Sequence, residues 1–260
     1  MIAGPCSAET ENQVLSTAQG LARQGISLLR AGVWKARTRG GCFEGVGVPG
    51  LAWLRNAALA TGLPVATEVA LPQHVEAALT WNIDCLWIGA RTTSNPFSMQ
   101  ELAEALRGID IPLMVKNPIG ADLGLWIGAL ERLYSAGARR LAAIHRGFKQ
   151  FGNHEYRNQP CWPIALKLKE LIPDLPIFCD PSHICGRIDL IPKVAQKAFS
   201  LGFDGLFIEA HSCPQRALTD AKQQLHPDQL GALLKTIAEP CNALSSNKAV
   251  AMDPVQPGCF

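Results

Sequence analysis

The sequence predicts an α/β fold, a single-domain (β/α)8 barrel of the TIM type, and three observations carry that prediction. The chain has 260 residues, 48% of them hydrophobic, which matches the roughly 250 residues of one such barrel and suffices for a sizeable core. Short apolar runs rich in β-formers recur at residues 2–4, 26–31, 64–69, 83–90, 112–116, 140–145, 176–180 and 204–210. Between them lie segments whose apolar residues recur at helical spacing, so strand and helix alternate along the chain.

Taken in order, the first run is only IAG, so a truncated first strand is expected where strands usually reach five or six residues. If residue 1 is the natural start, the neighbouring strands would face unpaired backbone groups there, or a partner would cover them. The next runs, ISLLRA, PVATEV, IDCLWIGA, PLMVK, RLAAIH, PIFCD and DGLFIEA, are mostly continuous apolar stretches rather than polar–apolar alternations. Strands of that kind are buried on both faces, as in a parallel sheet covered by helices. Two of the connecting segments show the helical spacing plainly: Leu123, Trp126, Ile127, Leu130, Leu133 and Tyr134, then Leu230, Leu233, Leu234 and Ile237. No GxGxxG follows the first run, which lowers the dinucleotide-fold alternative. The barrel is expected over residues 1–240, and residues 241–260, rich in Ser, Asn, Pro and Gly, read as an irregular tail.

The formal charge of +2 is small and the basic residues are scattered, which points away from nucleic acid and from an anionic membrane surface. Nine cysteines, no charged-then-apolar leader and no long apolar span imply a cytoplasmic protein with reduced thiols. No cysteine spacing matches a structural zinc site, so most of these thiols are expected to be small buried apolar residues.

In such barrels the reacting groups sit at the C-terminal ends of the strands. The polar residues ending each run are Cys6; Arg30 and Lys35; Glu68; Arg91; Lys116; His145 and Arg146; Asp180 and His183; Glu209 and His211. A mouth holding Arg30, Lys35, Arg91, Lys116 and Arg146 would repel itself, so it expects polyanions, and mixed Arg and Lys suit a small substrate with both phosphate and carboxylate. Cys6, His183, Glu209 and Asp220 would come from loops one, seven and eight, adjacent once the barrel closes. A thiolate, an imidazole and two carboxylates suit Mn, Fe, Co or Zn better than Mg or Ca.

The motifs GPCSAE, RAGVWKART, TEV, IGART, VKNP, AIHRGF, CDPSH and IEAH followed by LTDAKQQL fall at successive strand ends. In that order they resemble the 3-deoxy-7-phosphoheptulonate synthase family of the short bacterial type, nearest the branch fused to chorismate mutase, over residues 2 to about 235. The resemblance implies a metal-dependent, cytoplasmic enzyme that condenses phosphoenolpyruvate with erythrose 4-phosphate and releases phosphate, at the first step of aromatic amino-acid synthesis. It implies Cys6, His183, Glu209 and Asp220 as metal ligands. It implies Arg91, Lys116 and Arg146 on the phosphoenolpyruvate, with Arg30 and Lys35 beside them, and Arg37 and Thr38 on the aldose phosphate. Lys35, His183 and His211 are the catalytic candidates, Lys35 or His211 handling protons. A homo-oligomer and a separate chorismate mutase partner are further expectations of the resemblance.

Other readings stay open at this stage. A 3-deoxy-manno-octulosonate 8-phosphate synthase would use arabinose 5-phosphate, although the Arg37–Thr38 pair favours the shorter aldose. A Schiff-base aldolase would use Lys116 as its nucleophile, and a degenerate barrel would serve only as a binding subunit. Glu68 could be a substrate contact or only an ion-pair partner of Lys35 or Arg91. His145 is expected to support a neighbour; His74, His154 and His226 are expected at the surface. Trp53, Trp81, Trp87, Trp126 and Trp162 are expected in helix–sheet packing. Two departures from the family pattern stand out: Ala36 replaces a proline that would stiffen its loop, and Cys185 replaces a glycine, which would strain the loop carrying His183 if a positive φ is needed there.

Overall fold

A computed structural model describes residues 1–37, 40–152 and 154–238 of the chain. Eight strands close into a parallel barrel in sequence order: β1 Ile2–Gly4, β2 Leu28–Arg30, β3 Val65–Val69, β4 Cys85–Ile88, β5 Leu113–Lys116, β6 Leu141–His145, β7 Ile177–Cys179 and β8 Gly205–Glu209. Each lies within one of the apolar runs, so the expected barrel is the observed one. The short first strand is no anomaly in this setting. β1, β2 and β7 all have three residues, and β1 pairs on both sides, Ala3 facing Leu29 of β2 and Ile208 of β8.

The helices follow the strands: α1 Glu11–Ala22, α2 Pro49–Thr61, α3 Pro72–Thr80, α4 Ala90–Thr93, α5 Pro96–Ala105, α6 Leu123–Ser135, α7 Trp162–Leu171, α8 Pro181–Cys185, α9 Ile191–Ser200 and α10 Pro227–Ala238. Local chemistry sets their starts. The Thr10, Asn95 and Asp122 side chains accept backbone N–H bonds at the starts of α1, α5 and α6, and α2, α3, α5, α7 and α9 carry proline in the first turn, where its missing N–H costs nothing. Of the periodic apolar positions, Trp126, Leu130 and Leu133 of α6 and Leu230, Leu233 and Ile237 of α10 are buried against the sheet. No helix among the described residues is long and apolar enough to cross a membrane. The expected tail, residues 241–260, lies outside the described residues.

Two apolar clusters result. The larger fills the layer between helices and sheet. The smaller, Ile2, Ala66, Cys85, Trp87, Met114, Ala142, Ile144 and Phe207, with Leu28 and Phe178 against it, fills the barrel interior. Trp87 therefore departs from the expected helix–sheet packing: it points inward and meets Phe207 edge-on at 5.3 Å. Side chains alternate along a strand, so the residue two positions later faces the same way. Leu28 is followed in this sense by Arg30, Ala66 by Glu68, Met114 by Lys116, Phe178 by Asp180 and Phe207 by Glu209. One step toward the strand ends turns an apolar interior into a charged one.

Candidate active site

The charged layer is closely paired. Arg30 is 1% exposed; its guanidinium lies 4.8 Å from both the Trp87 and Phe207 rings, donates to the Cys6 carbonyl, and contacts Glu209 Oε1 at 3.3 Å. Lys116 donates to Asp180 Oδ2 at 2.9 Å, both groups being buried. The expected cluster of five mutually repelling cations is corrected accordingly: Arg30 and Lys116 are each paired with a buried carboxylate from a strand end two positions round the barrel, since a buried charge is costly without a partner.

Glu68 accepts from the Trp87 indole at 2.9 Å. Burial alone would raise its pKa, yet Lys35, Lys116 and the indole hold the carboxyl below its ordinary range. Gly89 makes room for it, since a Cβ there would collide with the Glu68 carboxylate. Lys35 Nζ reaches the Cys6 carbonyl at 3.0 Å and Cys6 Sγ at 3.2 Å. Despite burial, the Glu68 and Glu209 carboxylates, with Cys6 in contact, hold the Lys35 ammonium above its ordinary value, so it acts as a donor rather than a free amine base.

On the β1, β7 and β8 side, donor atoms of Cys6, Glu209 and Asp220 lie within 4.8 Å of one another. His183 Nε2 is 3.7 Å from Glu209 Oε1 and 4.0 Å from Asp220 Oδ2. Bond lengths of about 2.0–2.3 Å to a cation put ligand atoms roughly 3–4.5 Å apart, so this donor set fits a divalent metal. The other ring nitrogen, His183 Nδ1, lies 2.7 Å from Asp180 Oδ2, off the ideal N–H direction. Such a carboxylate–imidazole contact fixes the ring so that Nε2 faces the other donors. Burial lowers the His183 value in spite of Asp180, keeping the imidazole neutral and its lone pair available. Asp180 is held well below the carboxylate range, since His183 and Lys116 outweigh its burial.

The same balance, with His183, Arg157 and Lys35 opposing burial, takes Asp220 down to about 2. Its backbone is left-handed, φ 49° and ψ 34°, an unfavourable conformation for aspartate that persists only where surroundings impose it. Arg157 imposes part of it, donating to Asp220 Oδ1 at 3.0 Å and to Gln223 Oε1 at 2.7 Å. Gln223 in turn donates to Glu209 Oε2 at 2.7 Å. Burial and the Glu209 carboxylate push the Cys6 thiol up to about 12 against the pull of Lys35.

Arg146 is anchored just after β6, beside β7: Asn117 Oδ1 accepts from its backbone N–H at 2.7 Å and Asn158 Oδ1 from its guanidinium at 3.0 Å. Burial, with Arg157 and Arg91 nearby, pushes that guanidinium down to about 10, still charged at neutral pH. Arg91 is exposed on α4. Arg37 lies in the loop after β2, its Nε donating to the Phe43 carbonyl at 2.7 Å. Thr38 lies outside the described residues.

His211 is buried against Glu9, Nε2 at 3.8 Å from Glu9 Oε2, while its Nδ1 accepts from the Cys213 N–H. Its polar contacts thus run to Glu9 and the loop after β8. His145 faces outward from β6 into Trp126, Phe148, Trp162 and Phe203, where burial pushes it down to about 3 and keeps it neutral. His154 is exposed as expected, whereas His226 is half-buried, its Nδ1 3.4 Å from Asp228 Oδ2. His74 is not a free surface residue: it stacks on Trp34 with ring centroids 4.0 Å apart. Cys185 carries no strain, because it ends α8 in a helical conformation and the positive φ of 71° falls on Gly186.

Sequence reasoning assigned no role to Asp180, Arg157, Asn158, Gln223 or Gln224. Asp180 and the glutamines stood inside the quoted motifs, but Arg157 had no local signal, since it meets Asp220 only through the fold.

A profile of the DAHP synthetase I family matches residues 1–245. The phospho-2-dehydro-3-deoxyheptonate aldolase of Thermotoga maritima is 31% identical over 248 residues, covering 94% of this chain and 70% of that protein. The 2-dehydro-3-deoxyphosphooctonate aldolase of Nitratidesulfovibrio vulgaris is 26% identical over 262 residues, covering 92% and 90%. Among solved structures, the Thermotoga maritima DAHP synthase superposes with a TM-score of 0.83 at 28% identity, over 93% of this chain and 68% of that one. A truncated form of the 3-deoxy-D-arabino-heptulosonate 7-phosphate synthase from the same organism gives a TM-score of 0.79 at 27% identity, over 93% and 86%.

Proposed function

This chain belongs to the DAHP synthetase I family, and on that premise we propose that it is a metal-dependent 3-deoxy-7-phosphoheptulonate synthase joining phosphoenolpyruvate to erythrose 4-phosphate. The observation that carries the metal-dependent part is the convergence of Cys6, Glu209 and Asp220 with His183 Nε2, beside a mouth lined by Lys35, Arg91 and Arg146. A cation of the Mn, Fe, Co or Zn class bound there would supply polarisation of the aldehyde oxygen.

The residues of the chain do the rest. Arg91, Arg146 and Lys116 hold the phosphate and carboxylate of phosphoenolpyruvate, and Arg37 and Thr38 hold the aldose phosphate. Arg30, paired with Glu209 and packed on two rings, keeps that carboxylate in place. Glu68 balances Lys35 and Lys116. So oriented, C3 of phosphoenolpyruvate attacks the aldehyde carbon, water adds at C2, and the phosphate leaves to give the 2-keto acid. The Lys35 ammonium is placed to donate a proton near Cys6. His211 serves by holding Glu9. Lys116 spends its amine on Asp180, which disfavours a Schiff-base route.

Phosphate release from phosphoenolpyruvate and erythrose 4-phosphate tests this, with and without chelator and with Cys6→Ala alongside. Turnover that chelator and Cys6→Ala both abolish is expected. Turnover only with arabinose 5-phosphate would transfer the chain to the octulosonate reaction, and no turnover with either aldose would leave a binding subunit. Self-association and control by a separate chorismate mutase extend the same reading; sedimentation of the chain alone and of the mixture tests both.

A further inference from the structure

The residues next to two of the proposed ligands are tied to each other. Ser7 follows Cys6, Thr219 precedes Asp220, and their hydroxyl oxygens are 2.6 Å apart in a site where both residues are buried. Ser7 Oγ also donates to Glu9 Oε1 at 3.1 Å, and the same carboxylate accepts from the Leu218 N–H at 2.8 Å. A second strap runs beside the first. Gln224 Oε1 accepts from the Cys6 N–H at 3.0 Å, and Gln224 Nε2 donates to the Thr219 carbonyl at 2.8 Å. Both straps cross from the loop after β1 to the loop after β8, more than two hundred residues apart in sequence. Between them Asp220 is held in its left-handed conformation, with Oδ2 at 3.6 Å from Cys6 Sγ.

Two mobile loops would lose conformational entropy on gathering around a cation, and a connection that already holds them removes much of that loss. We propose that the Ser7–Thr219 hydroxyl pair, backed by Gln224, is a positioning clamp that presets the Cys6-to-Asp220 spacing and so sets the affinity for the divalent cation. The clamp touches neither cation nor substrate; it acts through the two ligands. It rests on the metal reading given above, and the two can fail separately.

Chelator-treated protein titrated with Co2+ alone provides the test, followed by the thiolate-to-cobalt absorption that Cys6 would produce. Ser7→Ala and the isosteric Thr219→Val are each expected to weaken Co2+ binding by about 10–100-fold. The double variant is expected to stay within about twofold of the weaker-binding single, because both singles already remove the shared Ser7–Thr219 contact. Thr219→Ser, which retains a hydroxyl, is expected to bind like wild type. Far-ultraviolet circular dichroism of Thr219→Val before titration reports that the barrel is intact. Unchanged Co2+ affinity in both single variants, or fully additive losses in the double, overturns the clamp while leaving the metal site standing. Absence of the thiolate-to-cobalt band in the wild type overturns the metal reading and the clamp with it.

Discussion

Two layers of the barrel interior, one strand step apart, have opposite chemistry. The lower layer, with Leu28, Ala66, Met114, Phe178 and Phe207, is apolar and packs as any core does. The upper layer, with Arg30, Glu68, Lys116, Asp180 and Glu209, buries charge almost as completely. Buried ion pairs contribute little net stability, because desolvation offsets their attraction. The lower layer therefore holds the barrel together, and the upper one contributes little to stability, which fits its place in the proposed substrate site.

The largest expected effect tests that division directly. Lys116→Met leaves Asp180 with a buried charge lacking its ammonium, and a loss of about 3–5 kcal/mol in urea unfolding is expected. Lys116→Met with Asp180→Leu restores most of that stability while turnover stays abolished. Recovery of turnover together with stability would erase the distinction between the layers.

In the lower layer, Met114→Ala is expected to cost about 2–5 kcal/mol through the cavity it leaves. The surviving folded enzyme should keep kcat/KM within about threefold, because Met114 stops short of the charged layer. A collapse of kcat/KM at temperatures where the variant remains folded would show that the layers are coupled.

Trp87 joins them, its ring in the lower layer and its indole N–H on Glu68. Trp87→Phe keeps an aromatic ring in the layer but loses the fused five-membered ring with its N–H, so a loss of at least about 1.5–3 kcal/mol is expected from the charge-assisted hydrogen bond. Unchanged unfolding would mean that Lys35 and Lys116 alone hold Glu68.

The smallest effect sharpens the picture at Cys6. With its thiol pushed up to about 12, the metal-free protein carries the proton throughout the neutral range, and cation binding must expel it. Rising pH makes that expulsion easier, so between about pH 6 and 8 affinity should strengthen roughly tenfold per unit. Calorimetry in buffers of differing protonation enthalpy should find on the order of one proton released per cation, and Cys6→Ala should lose the pH slope. Affinity independent of pH in the wild type would remove the thiolate from the site.

Much of this was legible along the chain. Strand runs, helix periodicity and the polar residues at strand ends are local patterns, read from a few neighbouring side chains, and the barrel that follows from them places Cys6, His183, Glu209 and Asp220 on one rim. The pairing of the charges was not legible in the same way. That Arg30 lies under the site against Glu209, that Asp180 serves both Lys116 and His183, and that His145 faces away from its neighbour Arg146 all follow from strand tilt and register. The contact of Arg157 with Asp220 spans 63 residues.

By itself, the sequence determined the repeating order of strand and helix, the closed parallel architecture that this order favours, and the chemical types available at the rim. Only the tertiary structure decided which charges neutralise one another, which imidazoles stay neutral in apolar surroundings, and how the loops after β1 and β8 hold their side chains together. The physical reason is that secondary structure answers to short-range sterics and periodic burial, whereas electrostatic pairing depends on distances between strand ends that exist only once the barrel has closed.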